Sequence, residues 1–268
     1  MSPSSQLPGD LRQAVERFAK EPRLLVASDF DGVLAPLVLD PMSARAQPGT
    51  IEALRALAAL PDVHVAVVSG RDLATLSKLT GLSADDGIVL VGSHGGESSE
   101  SLTDGSSTPS SGLGAAEQAA LEGATEALEA IVERFGEARV EHKPAGVVLH
   151  TRGMDDDEAA RASAAALAVP DDVPGVRAMR GKSVVELSVL DVTKGSALAA
   201  LAQKLGTNVT AYFGDDVTDE TVFEALDATG GHVTVKVGEG DTAAAYRVDS
   251  CEAMPTLLKA LLEARATR

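Results

Sequence analysis

Two patterns of hydrophobic and polar positions divide this chain. Toward both ends lie short, largely apolar runs at residues 24–27, 63–68, 88–91, 209–213 and 232–237, each closed by a glycine or serine. Runs of that length, bounded by turn residues, predict strands buried on both faces, as in a parallel sheet covered by helices. Apolar spacing of three and four predicts helices over residues 11–18, which Pro22 ends, and over 50–60. Further helices are expected from Asp72, from Thr193 through Ala202, after the acidic cluster at Asp215, and over 254–265. The first strand, the helix over 50–60 and the second strand form a βαβ unit, which implies parallel strands and a right-handed crossover.

Between these regions the pattern changes. Residues 98–112 are almost all Ser, Thr, Gly, Glu and Asp, the composition of a mobile loop and the clearest boundary in the chain. A helix is expected over 115–135, with Leu121, Leu128, Ile131 and Val132 along one face, and another over 156–168. Strands 139–143 and 147–152 read as a hairpin joined at Pro144-Ala145-Gly146, and strands 176–180 and 183–187 as a second joined at Gly181-Lys182. The expected fold is therefore α/β. A Rossmann-like, doubly wound parallel sheet over residues 1–97 and 188–268 receives an inserted α+β block with an antiparallel sheet over 98–187.

The chemistry gathers at the strand ends. Asp29 and Asp31 follow the first strand in Asp29-Phe30-Asp31-Gly32. In an extended segment, side chains two positions apart share a side, so both carboxylates converge on one cation or phosphate. A hard cation such as Mg²⁺ relieves their repulsion, and one carboxylate is then free to attack phosphorus while Asp31 moves a proton. Asp-x-Asp-Gly also occurs in turns and calcium loops, although no acidic ladder follows Gly32. Ser69-Gly70-Arg71 suits a phosphate oxygen, or equally a helix cap, and Arg71 suits a carboxylate partner. His94, between glycines, is a substrate contact or a turn residue. Lys194 opens a helix, where a cation is disfavoured unless it faces an anion. Asp215 or Asp216 is placed to complete an oxygen shell, with Asp219 assisting through water or orienting Lys194. On the inserted sheet, Glu141, Lys143, His150, Arg152 and Glu186 form a solvated face or a surface for a hydroxyl-rich substrate.

Composition narrows the partners. The 268 residues carry a formal net charge of −17, which disfavours nucleic acid and anionic membranes and makes individual cations near the carboxylates informative. Cys251 is the single cysteine, which excludes an internal disulfide and a cysteine-rich zinc site. With no signal-like or membrane-length apolar run, a cytoplasmic monomer acting on a small molecule is expected.

Asp29-Phe30-Asp31-Gly32, Ser69-Gly70-Arg71, Lys194-Gly195 and Gly214-Asp215-Asp216-x-x-Asp219, in this order, resemble the haloacid-dehalogenase superfamily of Asp-nucleophile phosphatases. Gly92-Ser93-His94-Gly95, Glu141-His142-Lys143, His150-x-Arg152, Gly181-Lys182-x-x-Val185-Glu186-Leu187 and Glu220 extend the resemblance to its trehalose-6-phosphate phosphatase family. The resemblance implies a mobile cap, Mg²⁺ dependence and hydrolysis of trehalose 6-phosphate through an aspartyl-phosphate. It assigns Asp29 as nucleophile, Asp31 as general acid/base, and Ser69, Gly70, Arg71 and Lys194 to the phosphate end. Asp29, Asp215 and the Asp31 carbonyl would bind metal, and Glu141, Lys143, Arg152, Lys182 and Glu186 the sugar. Val33 stands where the family usually has threonine. A phosphatase for another sugar phosphate, such as a glucosyl- or mannosyl-phosphoglycerate, and a non-catalytic sugar-phosphate sensor are the alternatives; the second carboxylate of the Asp pair argues against the sensor.

Overall fold

The computed structural model describes residues 7–100, 113–181, 183–226 and 230–268. The chain forms two compact units, Met1–Thr108 with Thr193–Arg268, and Pro109–Val192.

In the first unit, the elements are α1 (Gly9–Phe18), β1 (Leu24–Ser28), α2 (Thr50–Ala58), β2 (Val63–Val68), α3 (Leu73–Thr80), β3 (Ile88–Gly92) and β4 (Glu97–Ser98). The second unit holds α4 (Ala115–Phe135), β5 (Arg139–Lys143), β6 (Gly146–His150), α5 (Asp156–Leu167), α6 (Val169–Asp172), β7 (Arg177–Gly181) and β8 (Val184–Ser188). The first unit then resumes with α7 (Lys194–Leu205), β9 (Val209–Gly214), α8 (Val217–Ala225), β10 (Val233–Val237), β11 (Tyr246–Val248) and α9 (Met254–Ala266).

The first unit's sheet runs β11-β10-β9-β1-β2-β3-β4, parallel except for β4. Chain order reverses around β1, between β9 and β2, and that is where open α/β sheets place ligands, beyond the carboxyl ends of the strands. Alternate residues serve opposite faces. Leu24, Val26, Val65, Val67, Ala211 and Phe213 join α1, α2 and α9 in one core. Leu25, Ala27, Ala66, Val68 and Tyr212 are also buried. Their parity sets them on the other face. Burial on both faces is the reason these strands lack polar alternation.

The helices start where the sequence offers caps. Asp72 accepts Thr75 N–H at 2.8 Å, Thr193 accepts Ser196 N–H at 3.1 Å, and Asp216 with Asp219 makes a capping box at α8. The short strands β4 and β11 carry too little sequence pattern to be predicted. Val33 is fully buried in the core.

The second unit is a four-stranded antiparallel sheet, β5-β6-β8-β7. Its register sets Val147, Leu149, Val185 and Leu187 on one face, packed with Leu128 and Ile131 of α4. The other face holds Glu141, Lys143, Val148, His150 and Glu186.

The backbones of α7 and α8 meet at Gly195, where an added Cβ would lie 2.3 Å from the Thr221 carbonyl oxygen. Gly195→Ala is expected to destabilise the fold by about 1–3 kcal/mol, because a backbone atom rather than a side chain must yield. Thermal denaturation checks this; an unchanged melting temperature would contradict the packing.

Candidate active site

Asp29 continues the β1 ladder, its N–H donating to the Phe213 carbonyl at 2.9 Å. Its carboxylate is buried; Oδ1 accepts Phe30 N–H at 2.6 Å and Oδ2 accepts Lys194 Nζ at 2.7 Å. Lys194 also donates to Asp219 Oδ1 at 2.8 Å, and its side chain is 2 % exposed. Asp219 is saturated: Oδ1 also takes the Tyr212 hydroxyl at 2.6 Å, and Oδ2 takes the N–H groups of Asp215 and Asp216 at 2.9 and 3.0 Å. Asp219 thus orients Lys194, one of the two roles its sequence position allows.

The chain turns directly after Asp29. Leu34 and Ala35 both donate N–H to the Phe30 carbonyl, at 3.0 and 2.8 Å, and Gly32 donates to Ala35. β1 ends at Ser28, Asp31 forms an isolated bridge with Ala35, and the carboxylates of Asp29 and Asp31 share no partner. The Asp31 side chain points instead to Arg71, whose Nε and Nη2 meet its two oxygens at 2.6 and 2.7 Å. Such a fork is the strongest pairing available between these groups. Gly32 has a φ of +77°, and a Cβ there would stand 2.0 Å from Asp215 Oδ2. Glycine here allows both the left-handed turn and the close seat of Asp215.

Asp29, Asp215 and Asp219 each bring a carboxylate oxygen within 4.8 Å of the others. One ammonium does not balance three carboxylates. Burial pushes the Asp29 carboxyl well above its ordinary range, Lys194 opposing and Asp219 and Asp215 adding to the rise. Burial and then Asp219 raise Asp215 to about 7. Burial works against the Lys194 charge, but Asp219 and Asp29 outweigh it and hold the ammonium above the usual lysine range. Asp219 itself, despite burial, is lowered by Lys194 and Tyr212. A hard divalent cation fits this set: Asp29 and Asp215 offer oxygen ligands in a place of excess negative charge, whereas Asp219 is already committed to other donors.

Ser69 is buried at the end of β2, beside β1, and its Oγ accepts Arg71 N–H at 3.2 Å. The neighbouring turn is left-handed at Ser93 and His94 (φ 49° and 54°), and a Cβ at Gly70 would lie 2.5 Å from the His94 ring. His94 therefore both turns the chain and packs on Ser69-Gly70-Arg71. In the second unit, Lys143 Nζ donates to Glu186 at 2.8 Å and Glu141 pairs with His150 Nε2 at 2.7 Å. His150 holds Glu141 below the ordinary glutamate range against the opposing effect of burial. Arg152 follows β6 and is exposed. Lys182 lies outside the described residues. Sequence reasoning did not assign a role to Tyr212 or to Lys236, whose Nζ donates to the Asp215 carbonyl at 2.7 Å; a charge inside an apolar strand was the available signal.

The chain shares its fold with a subclass IIB sugar phosphatase of the haloacid-dehalogenase superfamily (TM-score 0.59, 14 % identity, 89 % of this chain and 98 % of that one). The sequence model of the trehalose-phosphatase family matches residues 27–252, and the chain belongs to that family. It is 35 % identical over 258 residues to the trehalose-phosphate phosphatase of Mycobacterium tuberculosis, covering 92 % of this chain and 63 % of that protein. It is 38 % identical over 239 residues to an uncharacterized glycosyl hydrolase of the same organism, covering 85 % of this chain and 17 % of that protein. The chain thus spans less than two thirds of the length of either relative. The C-terminal domain of the C. albicans trehalose-6-phosphate phosphatase shares the fold, with TM-score 0.79, 21 % identity and 98 % and 99 % of the two chains covered.

The raised carboxyls carry a pH signature. A carboxyl lifted from 3.8 to about 7 in the folded state binds its proton more tightly there than in the unfolded chain. Its contribution to stability is full below the unfolded pKa and is lost as pH rises through about 7. The increase in melting temperature on adding Mg²⁺ is therefore expected to be larger at pH 8 than at pH 5. Equal increases at the two pH values would contradict the assignment of Asp215.

Proposed function

We propose that the chain hydrolyses trehalose 6-phosphate to trehalose and phosphate, with Mg²⁺, through an aspartyl-phosphate on Asp29. The observation that carries this reading is the separation of two carboxylates: Asp29 fixed in a buried cluster by Lys194, and Asp31 held outside it by Arg71. One suits a nucleophile whose oxygen is oriented by a fixed ammonium, the other a proton carrier once its arginine contact opens. The name of the mycobacterial relative supports the choice of substrate.

In this reading the Asp29 carboxylate attacks phosphorus as the bond from phosphorus to the sugar oxygen breaks, and Asp31 gives that oxygen its proton. Water then attacks phosphorus, Asp31 takes a proton from it, and phosphate leaves Asp29. The Arg71 fork occupies both Asp31 oxygens, so Asp31 takes up and delivers a proton only after one of those contacts opens. Ser69, Gly70 and Lys194 bind phosphate oxygens. Asp29, Asp215 and the Asp31 carbonyl hold Mg²⁺, which when bound neutralises the charge on the phosphoryl group. The second unit is the cap, and the polar face bearing Glu141, Lys143 and Glu186, with Arg152 and Lys182, recognises the sugar. We extend the proposal to a cytoplasmic monomer; no helix among the described residues is long and apolar enough to cross a membrane.

Asp29→Asn is expected to abolish phosphate release while far-ultraviolet circular dichroism stays unchanged, and Asp31→Asn to do nearly as much damage. Retained turnover in Asp29→Asn would sink the nucleophile assignment. Glu141→Ala is expected to lower kcat/KM on trehalose 6-phosphate about tenfold, the effect of about 1.4 kcal/mol, with little change on p-nitrophenyl phosphate. Equal losses on both substrates would remove the sugar-recognition role.

A further inference from the structure

Every residue of β10 is buried, and Lys236 within it is 5 % exposed. An unpaired ammonium there would cost several kcal/mol, so its partners identify its task. Nζ donates to the Asp215 carbonyl at 2.7 Å and stands 3.6 Å from Glu220 Oε1. Glu220, in the first turn of α8, is itself held: Oε2 accepts Ala243 N–H at 2.8 Å and the Thr242 hydroxyl at 3.2 Å. Lys236 reaches Asp215 because β10 pairs with β9 in a register that sets it beside Gly214.

Asp215 is thus tethered through both backbone polar groups. Its N–H donates to Asp219, the carboxylate that also holds Lys194, and its carbonyl accepts from Lys236. Between these tethers its carboxylate is pressed against Gly32, with no room for even a Cβ. Little tilt of the residue 214–216 backbone is tolerated before the carboxylate changes its aim. Partners one step removed from a metal commonly set its affinity by orienting the ligands themselves.

We infer that Lys236 is a positioning residue for the cation: through the Asp215 carbonyl it aims the Asp215 carboxylate, and Glu220 keeps its ammonium in place. This inference rests on the reading of Asp215 as a cation ligand. A lysine serving only as core filling would be replaceable by methionine, of similar length, without effect on the cation.

The test titrates Mg²⁺ into the wild type, Lys236→Met, Lys236→Arg and Asp215→Asn, reading the melting temperature without substrate and, separately, phosphate release. In Lys236→Met the Mg²⁺ midpoint is expected to rise about tenfold in both readouts, with the rate recovering at high Mg²⁺. Lys236→Arg, which keeps a donor, shifts less. If Lys236→Met does not fold, Glu220→Gln is expected to move the midpoint in the same direction, and an unmoved midpoint there overturns the inference. A Mg²⁺-responsive wild type, an impaired Asp215→Asn and an unshifted Lys236→Met overturn the inference alone. A wild type indifferent to Mg²⁺ overturns the cation reading and this inference with it.

Discussion

The buried ammonium of Lys194 is the constraint on which the site depends. It joins the end of β1 through Asp29, the first turn of α8 through Asp219, and β9 through the Tyr212 hydroxyl on the same carboxylate. Its place at the N-terminus of α7 opposes the helix dipole by about 0.3–1 kcal/mol. Removing one partner would leave an uncompensated buried charge at a cost of about 3–5 kcal/mol, more than the dipole opposes. The exposed Arg23–Asp62 pair, by contrast, contributes at most about 1 kcal/mol. Lys194 reaches its partners only if α7 lies close on α8, and Gly195 permits that approach.

The parts of this arrangement that come from local pattern were legible in the sequence. The apolar runs marked the long strands of the first unit, and polar residues at their ends marked Asp29, Ser69 and Asp215. Lys194 stood out because its position conflicted with the helix dipole. What depended on long-range geometry was not legible. The turn beginning at Phe30 sends the Asp31 side chain to Arg71, a partner forty positions away. Tyr212 and Lys236 looked like strand residues because burial there is general, and only the register shows what their polar atoms meet. β4 and β11, two and three residues long, exist because neighbouring strands offer them partners.

The second unit divides its labour between the faces of one sheet. Val147, Leu149, Val185 and Leu187 build its core, which leaves Glu141, Lys143, His150 and Glu186 on the opposite face. These residues are paired with one another, Lys143 with Glu186 and Glu141 with His150. In the reading proposed above, a sugar on this face would replace those pairings with its own hydroxyls, and a ligand with hydroxyls at the wrong positions would leave charges poorly matched. Selectivity would then follow from unmet hydrogen bonds rather than from shape alone.

The central claim is that a cation-assisted carboxylate cluster in the first unit performs phosphoryl chemistry on a disaccharide phosphate. Phosphate release from trehalose 6-phosphate and a panel of other sugar phosphates, measured with Mg²⁺ and with a chelator, tests it most directly. The account predicts strong preference for trehalose 6-phosphate and loss of that activity with the chelator. Absence of phosphate release from every sugar phosphate in the presence of Mg²⁺ would contradict it.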